Sequence, residues 1–307
     1  NVNPANVDEH LKYVKMGGFR TFMIYYRAFT KGRTGDYQWD LSKYPKGEED
    51  LREMLDKIKD AGLIPGFHFL HSHIGRRSRY VTPVPDHRLN LRKTFTLAEP
   101  LGRDDTTIYV EENPRHTTMA ENRRVLKIGT ELVEYNGYAT TRPYRFTGCR
   151  RGIDQTRAGS KPRGYLFGLL DVSEFFHGRN VHINQNSSLQ DEIAGKLAAI
   201  YRLGFKFCYF DGSEAVNAPF WFNISRAQWR VYKRLKPEPL FAEGAAKTHF
   251  SWHMLSRGNA FDVFPPEEMK QAVREHPAEE APRMRDDFTG INFGWIRYQL
   301  PGENTVG

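Results

Sequence analysis

Cysteine is nearly absent from this sequence, since only Cys149 and Cys208 occur among 307 residues. A small disulfide scaffold needs more cysteines than this, and two cysteines alone do not complete a zinc site. Long apolar runs are also missing, because no stretch approaches the roughly 20 residues that a membrane helix needs. We therefore expect neither a membrane span nor a cysteine-based metal centre.

Two further absences narrow the class of protein. No Gly-rich phosphate loop of the dinucleotide or nucleoside-triphosphate type occurs, which removes the main sequence sign of those ligands. The chain also begins at Asn1 without Met or an apolar leader. Any signal peptide has then been removed or the chain has been trimmed, and we expect a secreted or periplasmic protein.

The composition is that of a folded protein with an excess of positive charge. Hydrophobic residues make up 39% and charged residues 27%, and 45 Lys and Arg stand against 37 Asp and Glu, a net charge of +8. This excess favours an anionic partner, and both nucleic acid and acidic polysaccharide fit it. It is concentrated between Gly75 and Phe95, although a solvated loop would have a similar composition.

The first ninety residues alternate between helical and extended patterns. Apolar residues recur at helical spacing over Asn6–Lys15, and a Gly pair then separates them from the strand-like FRTFMIYY. A loop rich in Gly, Asp and Pro leads into the amphipathic EEDLREMLDKIKDAG and a second strand, LIPGFHF. This alternation predicts βαβ units.

The pattern changes between residues 91 and 164, where short segments such as TTIYV and VLKIGTELVEYNGY lie between turn residues. These segments predict a small antiparallel β insertion. Helix and strand patterns return with LFGLLDV, SLQDEIAGKLAAIYRLG and FKFCYFDG, followed by the strand candidates PLFAEGA, NAFDVF and INFGWIRY. We therefore predict barrel segments at residues 1–90 and 165–307 around an inserted β domain at 91–164.

The predicted fold class is α/β, a TIM-type (β/α)8 barrel carrying that insertion. About six or seven strands alternate with helices, whereas a closed barrel has eight. We expect the first strand to lie upstream of Asn1 and the eighth beyond Gly307. A doubly wound open sheet is the alternative, and the lack of a phosphate loop argues against it.

Polar side chains follow the predicted strands, at the end where a barrel builds its active site. Asp211 is the clearest case, because an apolar run leads directly into it and a carboxylate there has left the core. The other candidates at strand ends are Tyr26, Arg27, His68, His71, His73, Glu214, Glu243, Asp262, Trp295 and Arg297. We expect these residues to line one cleft.

Two carboxylates facing one cleft can break a glycosidic bond, one as nucleophile and one as general acid. We predict Asp211 as the nucleophile. Asp262 and Glu243 compete for the acid, and Glu214 is a weaker candidate. The structural alternative for each is a carboxylate that caps the following helix or pairs with Arg. Five tryptophans in the chain agree with sugar stacking, although tryptophans are usually core residues.

The histidines permit three roles. His71 and His73 could share one face of an extended segment and offer two metal ligands, but a hydrolytic metal site usually needs a third. Substrate contact or general-base work is the second role, and a structural role is the third. We predict no cofactor, with a divalent metal as the remaining option.

Two segments resemble α-galactosidase-type glycoside hydrolases of the TIM-barrel class. Residues 35–69, GDYQWDLSKYPKGEEDLREMLDKIKDAGLIPGFHF, are similar to the loop, helix and strand of that family. Residues 188–215, SLQDEIAGKLAAIYRLGFKFCYFDGSEA, are similar to the helix and strand that carry its nucleophile. The resemblance covers about half of the chain and implies Asp211 as nucleophile and Asp262 as acid/base. The sequence departs from the family at Tyr209, where a Lys is usual, and in the β insertion.

We therefore predict a glycoside hydrolase acting on an acidic or complex polysaccharide, with His68, His71, His73, Tyr26, Arg27, Glu214, Trp295 and Arg297 binding the sugar. Nucleic acid is not an expected partner. The alternative is a polysaccharide lyase, in which His or Tyr removes a proton beside a uronate that Arg neutralises. A non-catalytic glycan-binding barrel is the third class.

Overall fold

The structure is a computed structural model that describes residues 2–173, 178–212, 216–245, 251, 253–255 and 257–258. The α-helices in this part of the chain are α1 (Val7–Met16), α2 (Glu48–Asp60), α3 (Leu189–Tyr201) and α4 (Phe220–Tyr232), and a short 3-10 helix spans Tyr26–Ala28. The strands are β1 (Thr21–Tyr25), β2 (Ile64–Leu70), β3 (His73–Gly75), β4 (Leu91–Thr96), β5 (Ile108–Tyr109), β6 (Val125–Ile128), β7 (Glu131–Glu134), β8 (Gly137–Ala139), β9 (Arg145–Thr147), β10 (Leu166–Leu170), β11 (Asn180–His182), β12 (Phe207–Asp211), β13 (Ala242–Gly244) and β14 (Arg257–Gly258).

Helix α2 illustrates why the predicted helices form. Its first turn carries Glu48, Glu49 and Asp50 and its last turn Lys57 and Lys59, an arrangement that complements the helix dipole. A buried apolar stripe at Leu51, Met54, Leu55 and Ile58 faces the sheet. None of the helices among the described residues has the length and apolar character needed to cross a bilayer.

A five-stranded parallel sheet forms the centre of the molecule, in the order β1-β2-β12-β13-β14. The predicted α/β class is confirmed, and the strands follow one another in chain order as they do in a barrel. Within the described residues this sheet is open, because β1 and β14 each have one neighbour. The strand candidates NAFDVF and INFGWIRY lie outside the described residues.

The strands between Leu91 and Leu170 form two antiparallel sheets, ordered β4-β10-β6-β7 and β5-β9-β8. We call residues 91–170 the antiparallel region. A separate group of buried side chains packs inside it, including Phe95, Phe146 and the free Cys149. The expected β-rich texture is therefore present, while the division of the chain into three domains stays a prediction.

One predicted barrel strand belongs elsewhere. The segment LFGLLDV forms β10, which pairs antiparallel with β4 and β6 and not with the parallel sheet. A short apolar run looks the same in either kind of sheet, so the sequence pattern does not identify its partners. The antiparallel pairing thus extends beyond residue 164, to Leu170.

The side chains of the central sheet alternate between its two faces, as the period of a strand requires. Ile24, Phe67, Phe69 and Phe210 are buried in the main hydrophobic core together with the helices, as is the free Cys208. The opposite face carries the polar residues of the same strands. This alternation explains why the apolar run before Asp211 is continuous. Cys208 and Phe210 pack in the main core, whereas Tyr209 lies on the opposite, polar face.

Helix α4 is an element that the sequence patterns did not predict. Trp221 and Trp229 lie on this helix with exposed side chains. Aromatic residues have modest helix propensity, so this segment gives a weak local signal. Its buried face, which includes Asn223, Ile224 and Val231, is set by packing.

Candidate active site

Five residues lie level with one another across the parallel sheet. Tyr25 pairs in register with His68, His68 with Tyr209, Tyr209 with Glu243, and Glu243 with Arg257. Residues opposite each other in adjacent parallel strands point to the same face, so the side chains of Tyr25, His68, Tyr209 and Glu243 share the polar face of the sheet. Asp211 follows two residues after Tyr209 on this same face.

Asp211 is the last residue of β12, and His68 holds its carboxylate. The His68 Nε2–H group donates to Asp211 Oδ2 at 3.1 Å. The Asp211 side chain is 20% exposed and that of His68 is 11% exposed, so the pair borders solvent from a mostly enclosed position. Among the described residues, no group donates a hydrogen bond to the other carboxylate oxygen, Oδ1. One oxygen is thus fixed while the other is available.

The His68 ring is itself held between two aromatic rings. Its centroid lies 4.5 Å from that of Tyr25 and 4.9 Å from that of Tyr209, the latter in an edge-on arrangement. Because both contacts restrict rotation of the imidazole, they fix the direction of the Nε2–H bond toward Asp211.

The loop after β2 also fixes the backbone beyond Asp211. His71 Nδ1–H donates to the Asp211 carbonyl oxygen at 2.8 Å, and the Ser72 hydroxyl donates to the carbonyl oxygen of Gly212. Gln190 on α3 holds this loop in turn, since its Nε2–H group donates to the His71 carbonyl oxygen at 2.9 Å. The carboxyl end of β12 is therefore positioned by its neighbour strand.

His71 is an uncharged ring in this arrangement. It is fully buried, and burial lowers its pKa to about 4, although the Asp211 carbonyl and carboxylate act in the opposite direction. The Nδ1–H group makes the bond to Asp211, and Nε2 has no hydrogen-bond partner among the described residues. The predicted contact of His71 with the sugar stays a prediction.

His73 packs directly against the turn that follows Asp211. Gly212 has a φ of +83°, and a Cβ atom there would lie 2.6 Å from His73 Nδ1. His73 pairs in register with His182 of β11, with ring centroids 4.4 Å apart. Burial lowers the pKa of both rings, that of His182 to about 3 with Arg92 and Arg123 adding to the effect. The neutral His73 ring therefore packs against the turn after Asp211, and the neutral His182 ring packs against His73.

The segment after β1 adds a buried tyrosine and an arginine. The Tyr26 hydroxyl lies 2.8 Å from Thr34 Oγ1, and it accepts a hydrogen bond from Arg27 Nε–H at 3.2 Å. Burial, followed by the proximity of Tyr26, raises the pKa of Tyr25 well above its usual range. Tyr25 is therefore a neutral phenol here.

The other candidates divide into one inside and four outside the described residues. Glu243 lies on β13, and its partly buried side chain shares the face of Asp211. Asp262, Glu214, Trp295 and Arg297 lie outside the described residues. Their sequence-predicted roles stay predictions.

The positively charged stretch between Gly75 and Phe95 is largely paired with carboxylates. Arg76 bonds to Asp154 at 2.5 Å, Arg88 to Asp86 at 2.7 Å and to Glu192 at 3.0 Å, and Arg92 to Asp171 at 2.7 Å. These ion pairs join the loop after β3 to other segments. Much of the charge excess of this stretch is thereby neutralised within the protein.

Metal ligation by His71 and His73 has limited support from the surrounding groups. In the part of the chain that the structure describes, no third His, Cys, Asp or Glu joins them in a cluster suited to a metal ion. His71 already uses Nδ1 for the Asp211 carbonyl.

Three supporting residues of this site had weak or no signals in the sequence. Ser72 lies inside the HSH triplet, where the two histidines are the stronger candidates, and Gln190 lies on a helix far along the chain. His182 lies between Val181 and Ile183 in NVHINQN, a segment too short to show a period. Their roles depend on long-range contacts that sequence spacing does not report.

Comparison of the sequence with models of protein families and with curated proteins gives no match. Solved structures do match in part. An α-galactosidase of Thermus thermophilus in complex with p-nitrophenyl α-D-galactopyranoside overlaps with 86% of this chain and 40% of its own, at 14% identity and a TM-score of 0.47. An α-galactosidase of Geobacillus stearothermophilus in complex with raffinose overlaps with 84% of this chain and 28% of its own, at 10% identity and a TM-score of 0.44.

A type III pullulan hydrolase of Thermococcus kodakarensis overlaps with 80% of this chain and 32% of its own, at 16% identity and a TM-score of 0.41. This chain thus spans less than half the length of each of these three proteins. All three similarities are distant and cover part of the other protein's length.

Proposed function

We propose that this chain is the catalytic part of a retaining glycoside hydrolase built on an α/β barrel. The observation that carries the proposal is the setting of Asp211: a partly exposed carboxylate at the carboxyl end of a parallel strand, held through Oδ2 by His68 and through its backbone by His71. Such a fixed carboxylate suits nucleophilic attack, because little reorientation is needed before reaction.

In the proposed reaction Asp211 attacks the anomeric carbon and forms a glycosyl ester while the bond to the leaving oxygen breaks. A second carboxylic acid gives its proton to that oxygen. The same group, now a carboxylate, then takes a proton from water, and this water attacks the anomeric carbon and frees Asp211. His68 holds Oδ2 throughout, so that Oδ1 is the attacking atom.

Asp262 is our candidate for the acid and base, with Glu243 as its competitor. The assignment of Asp262 comes from the family resemblance. Glu243 has the support of lying in register with Tyr209 on the face that carries Asp211. The carboxyl groups of a retaining pair are about 5–5.5 Å apart and those of an inverting pair about 6.5–9.5 Å apart. The distances from the Asp211 carboxyl group to those of Asp262 and Glu243, measured in a crystal structure with bound sugar, therefore decide which of the two is the acid and base.

Sugar binding is proposed for His68, Arg27, Glu214, Trp295 and Arg297. For Tyr26, first predicted to bind the sugar, we propose a role in positioning Arg27, because Tyr26 is buried and its hydroxyl accepts from Arg27 Nε–H. For His71 and His73 we propose positioning roles in place of direct contact, because both rings are buried against the backbone around Asp211. The substrate is proposed to be an oligo- or polysaccharide, and a secreted or periplasmic location suits such a substrate. The proposed reaction uses no cofactor.

A polysaccharide lyase is the competing proposal, and two observations work against it. A tyrosine base must lose its proton, yet burial raises the pKa of Tyr25. Tyr26 is buried, and its hydroxyl already bonds Thr34 and Arg27. Of His68, His71 and His73, His68 has the most exposed ring, and it is engaged by Asp211.

The test compares Asp211→Asn with Asp60→Asn, an exposed aspartate at the end of α2 with no described partner. Aryl glycosides and oligosaccharides of different sugars are screened with the unmodified protein, and products are identified by mass and by ultraviolet absorbance. We expect Asp211→Asn to lower kcat by about a thousandfold or more, with Asp60→Asn unchanged. Activity of Asp211→Asn within about tenfold of the unmodified protein contradicts the nucleophile. An unsaturated, absorbing product supports the lyase instead.

A further inference from the structure

A second concave site lies on the antiparallel region. Its volume is about 310 Å³, and it is lined by Arg92, Lys93, Arg115, His116, Thr117, Thr118 and Leu169. We call this cavity the basic pocket. Sites for small ligands begin at about 300 Å³, so its size suits a single sugar unit.

The loop that forms one wall of the pocket is held in place by Lys93. Its ammonium group donates to the carbonyl oxygens of Asn113 and Arg115, at 2.7 and 3.1 Å. The Asn113 side chain accepts a hydrogen bond from the Arg115 backbone N–H at 2.9 Å and so closes the turn. Because an ammonium has three N–H donors, one remains for a ligand. The wall is thus organised before any ligand arrives.

The pocket carries more positive than negative charge. The Arg92 guanidinium bonds Asp171 at 2.7 Å, but no described residue forms an ion pair or hydrogen bond with the Arg115 guanidinium. Glu112, which lies near Lys93, accepts hydrogen bonds from the backbone N–H and hydroxyl of Thr96. Burial and then Arg115 lower the pKa of Lys93, although Glu112 opposes them. An anion in the pocket would balance this charge.

We propose that the basic pocket binds the anionic group of a glycan, either a sulfate ester or a uronate carboxylate. Arg115 and Lys93 would donate charge-assisted hydrogen bonds to it. The Thr118 hydroxyl accepts from the Ala120 N–H at 3.2 Å and still has its O–H to donate to the sugar, whereas the buried Thr117 hydroxyl donates to the Pro114 carbonyl oxygen. The inference adds a second glycan site to the proposed hydrolase, and it depends on that function only for the choice of a glycan as the anion.

The lining of the pocket favours a glycan over single-stranded nucleic acid. Proteins that bind single strands stack the bases on aromatic side chains in a basic groove. None of the residues that line the basic pocket is Phe, Tyr or Trp. A compact concavity with hydroxyl groups suits one anionic sugar unit better than a run of bases.

The experiment measures binding by titration calorimetry in the Asp211→Asn background, so that no ligand is consumed. The probes are a sulfated disaccharide, a uronate disaccharide and the neutral disaccharide of the same linkage. Arg115→Ala is compared with Arg103→Ala, because both arginines are exposed, lie in the antiparallel region and have no described partner. We expect Arg115→Ala to weaken binding of an anionic probe by about tenfold or more, as loss of a charge-assisted hydrogen bond requires. Arg103→Ala should change it less than twofold.

The two anionic probes identify which group is bound, and three results overturn the proposal. These are no binding of either anionic disaccharide, equal binding of the neutral one, and equal losses in the two arginine variants. A thymidine oligonucleotide that binds with the same dependence on Arg115 assigns the pocket to nucleic acid instead. Because turnover is not measured, these results stand apart from any failure of the proposed hydrolase.

Discussion

His68 offers a direct test of how the Asp211 carboxylate is held. A Gln at this position keeps an amide N–H donor close to the place of Nε2, whereas a Phe keeps the ring and removes the donor. A hydrogen bond to a charged group contributes about 1.5–3 kcal/mol. We therefore expect His68→Phe to lower kcat by about ten- to a hundredfold and His68→Gln to lower it much less, measured on the best substrate from the glycoside screen.

Measuring kcat and KM separately distinguishes this positioning role from simple sugar contact. A fixing role changes kcat in the two variants differently, while loss of sugar binding raises KM in both. Equal kcat for His68→Phe and His68→Gln would contradict the role of the hydrogen bond to Asp211.

The buried histidines predict that the protein loses stability in mild acid. His71 and His182 have folded-state pKa values of about 4 and about 3 because of burial, below the ordinary value of about 6.5. Between about pH 6.5 and 4 the unfolded chain binds protons that the folded chain does not. The stabilising contribution is therefore complete above about pH 6.5 and is lost as the pH falls, by about 1.4 kcal/mol per pH unit for each ring.

Urea unfolding at several pH values between 7 and 4.5 checks this prediction, and His182→Gln should reduce the slope. His87, with an exposed side chain, provides the matched control variant His87→Gln, which should leave the slope unchanged. A free energy of unfolding that is flat over this range would contradict the burial of neutral histidines.

At the scale of residues, the sequence predicted the position of Asp211 better than its surroundings. An apolar run that ends in a carboxylate indicates a strand end, and this local signal was sufficient. The hydrogen bonds that His68, His71 and Ser72 make to the end of β12, and that Gln190 makes to His71, depend on β2 and β12 being neighbours. No local pattern reports that pairing.

The turn after β12 is the element on which the proposed site most depends. Gly212 has a left-handed φ of +83°, and a Cβ there would also lie 2.7 Å from Leu70 Cδ2 as well as close to His73. Gly62 has a similar φ of +79° with no atom within 4 Å of its Cβ position. We expect Gly62→Ala to cost about 1 kcal/mol from backbone strain alone and Gly212→Ala to cost clearly more.

Denaturant unfolding measures both costs, and only Gly212→Ala should also lower kcat, since it displaces the turn that follows Asp211. If the two variants lose equal stability and keep full activity, the packing of His73 against this turn does not affect catalysis.

At the scale of elements, α1, α2 and α3 were predicted correctly, because helical periodicity coincides with an acidic first turn in each. The prediction failed for α4, whose aromatic residues have modest helix propensity, and for β10, whose apolar run fits either sheet. Both errors have the same physical source. Packing partners decide the structure of segments whose local propensities are weak.

The two ends of the antiparallel region meet at one point of the molecule. The Asp171 N–H donates to the Asn90 carbonyl oxygen at 3.0 Å, and the Asn90 side chain donates to Asp171 Oδ2 at 2.8 Å. A short Gly-Ser linker can therefore replace Leu91–Leu170. We expect this variant to unfold cooperatively with lower stability, because Leu132, Ile153 and other residues of the region also contact the main core.

A second deletion, of Leu91–Gly164, provides the control. It leaves β10 in the chain without β4 and β6, so an apolar strand loses its partners. We expect this variant to aggregate, as judged by size-exclusion chromatography. Equal behaviour of the two deletions would contradict the assignment of β10 to the antiparallel region.

At the scale of the whole molecule, the composition and rhythm of the sequence predicted an α/β protein interrupted by β structure. They did not predict which contacts join the antiparallel region and the loops around it to the rest of the chain. Ion pairs such as Arg76 with Asp154 and the register between His73 and His182 connect residues that are far apart in sequence. Such contacts are decided by the assembled chain.

Each of the two larger hydrophobic cores among the described residues contains one free cysteine, Cys208 in the main core and Cys149 in the antiparallel region. Because both thiols are buried, a thiol reagent reacts with either one only when its own core opens. Labelling followed by peptide mapping thus separates the two opening reactions within one unmodified chain. Equal labelling rates for the two cysteines at every denaturant concentration would mean that the two cores open as a single cooperative unit.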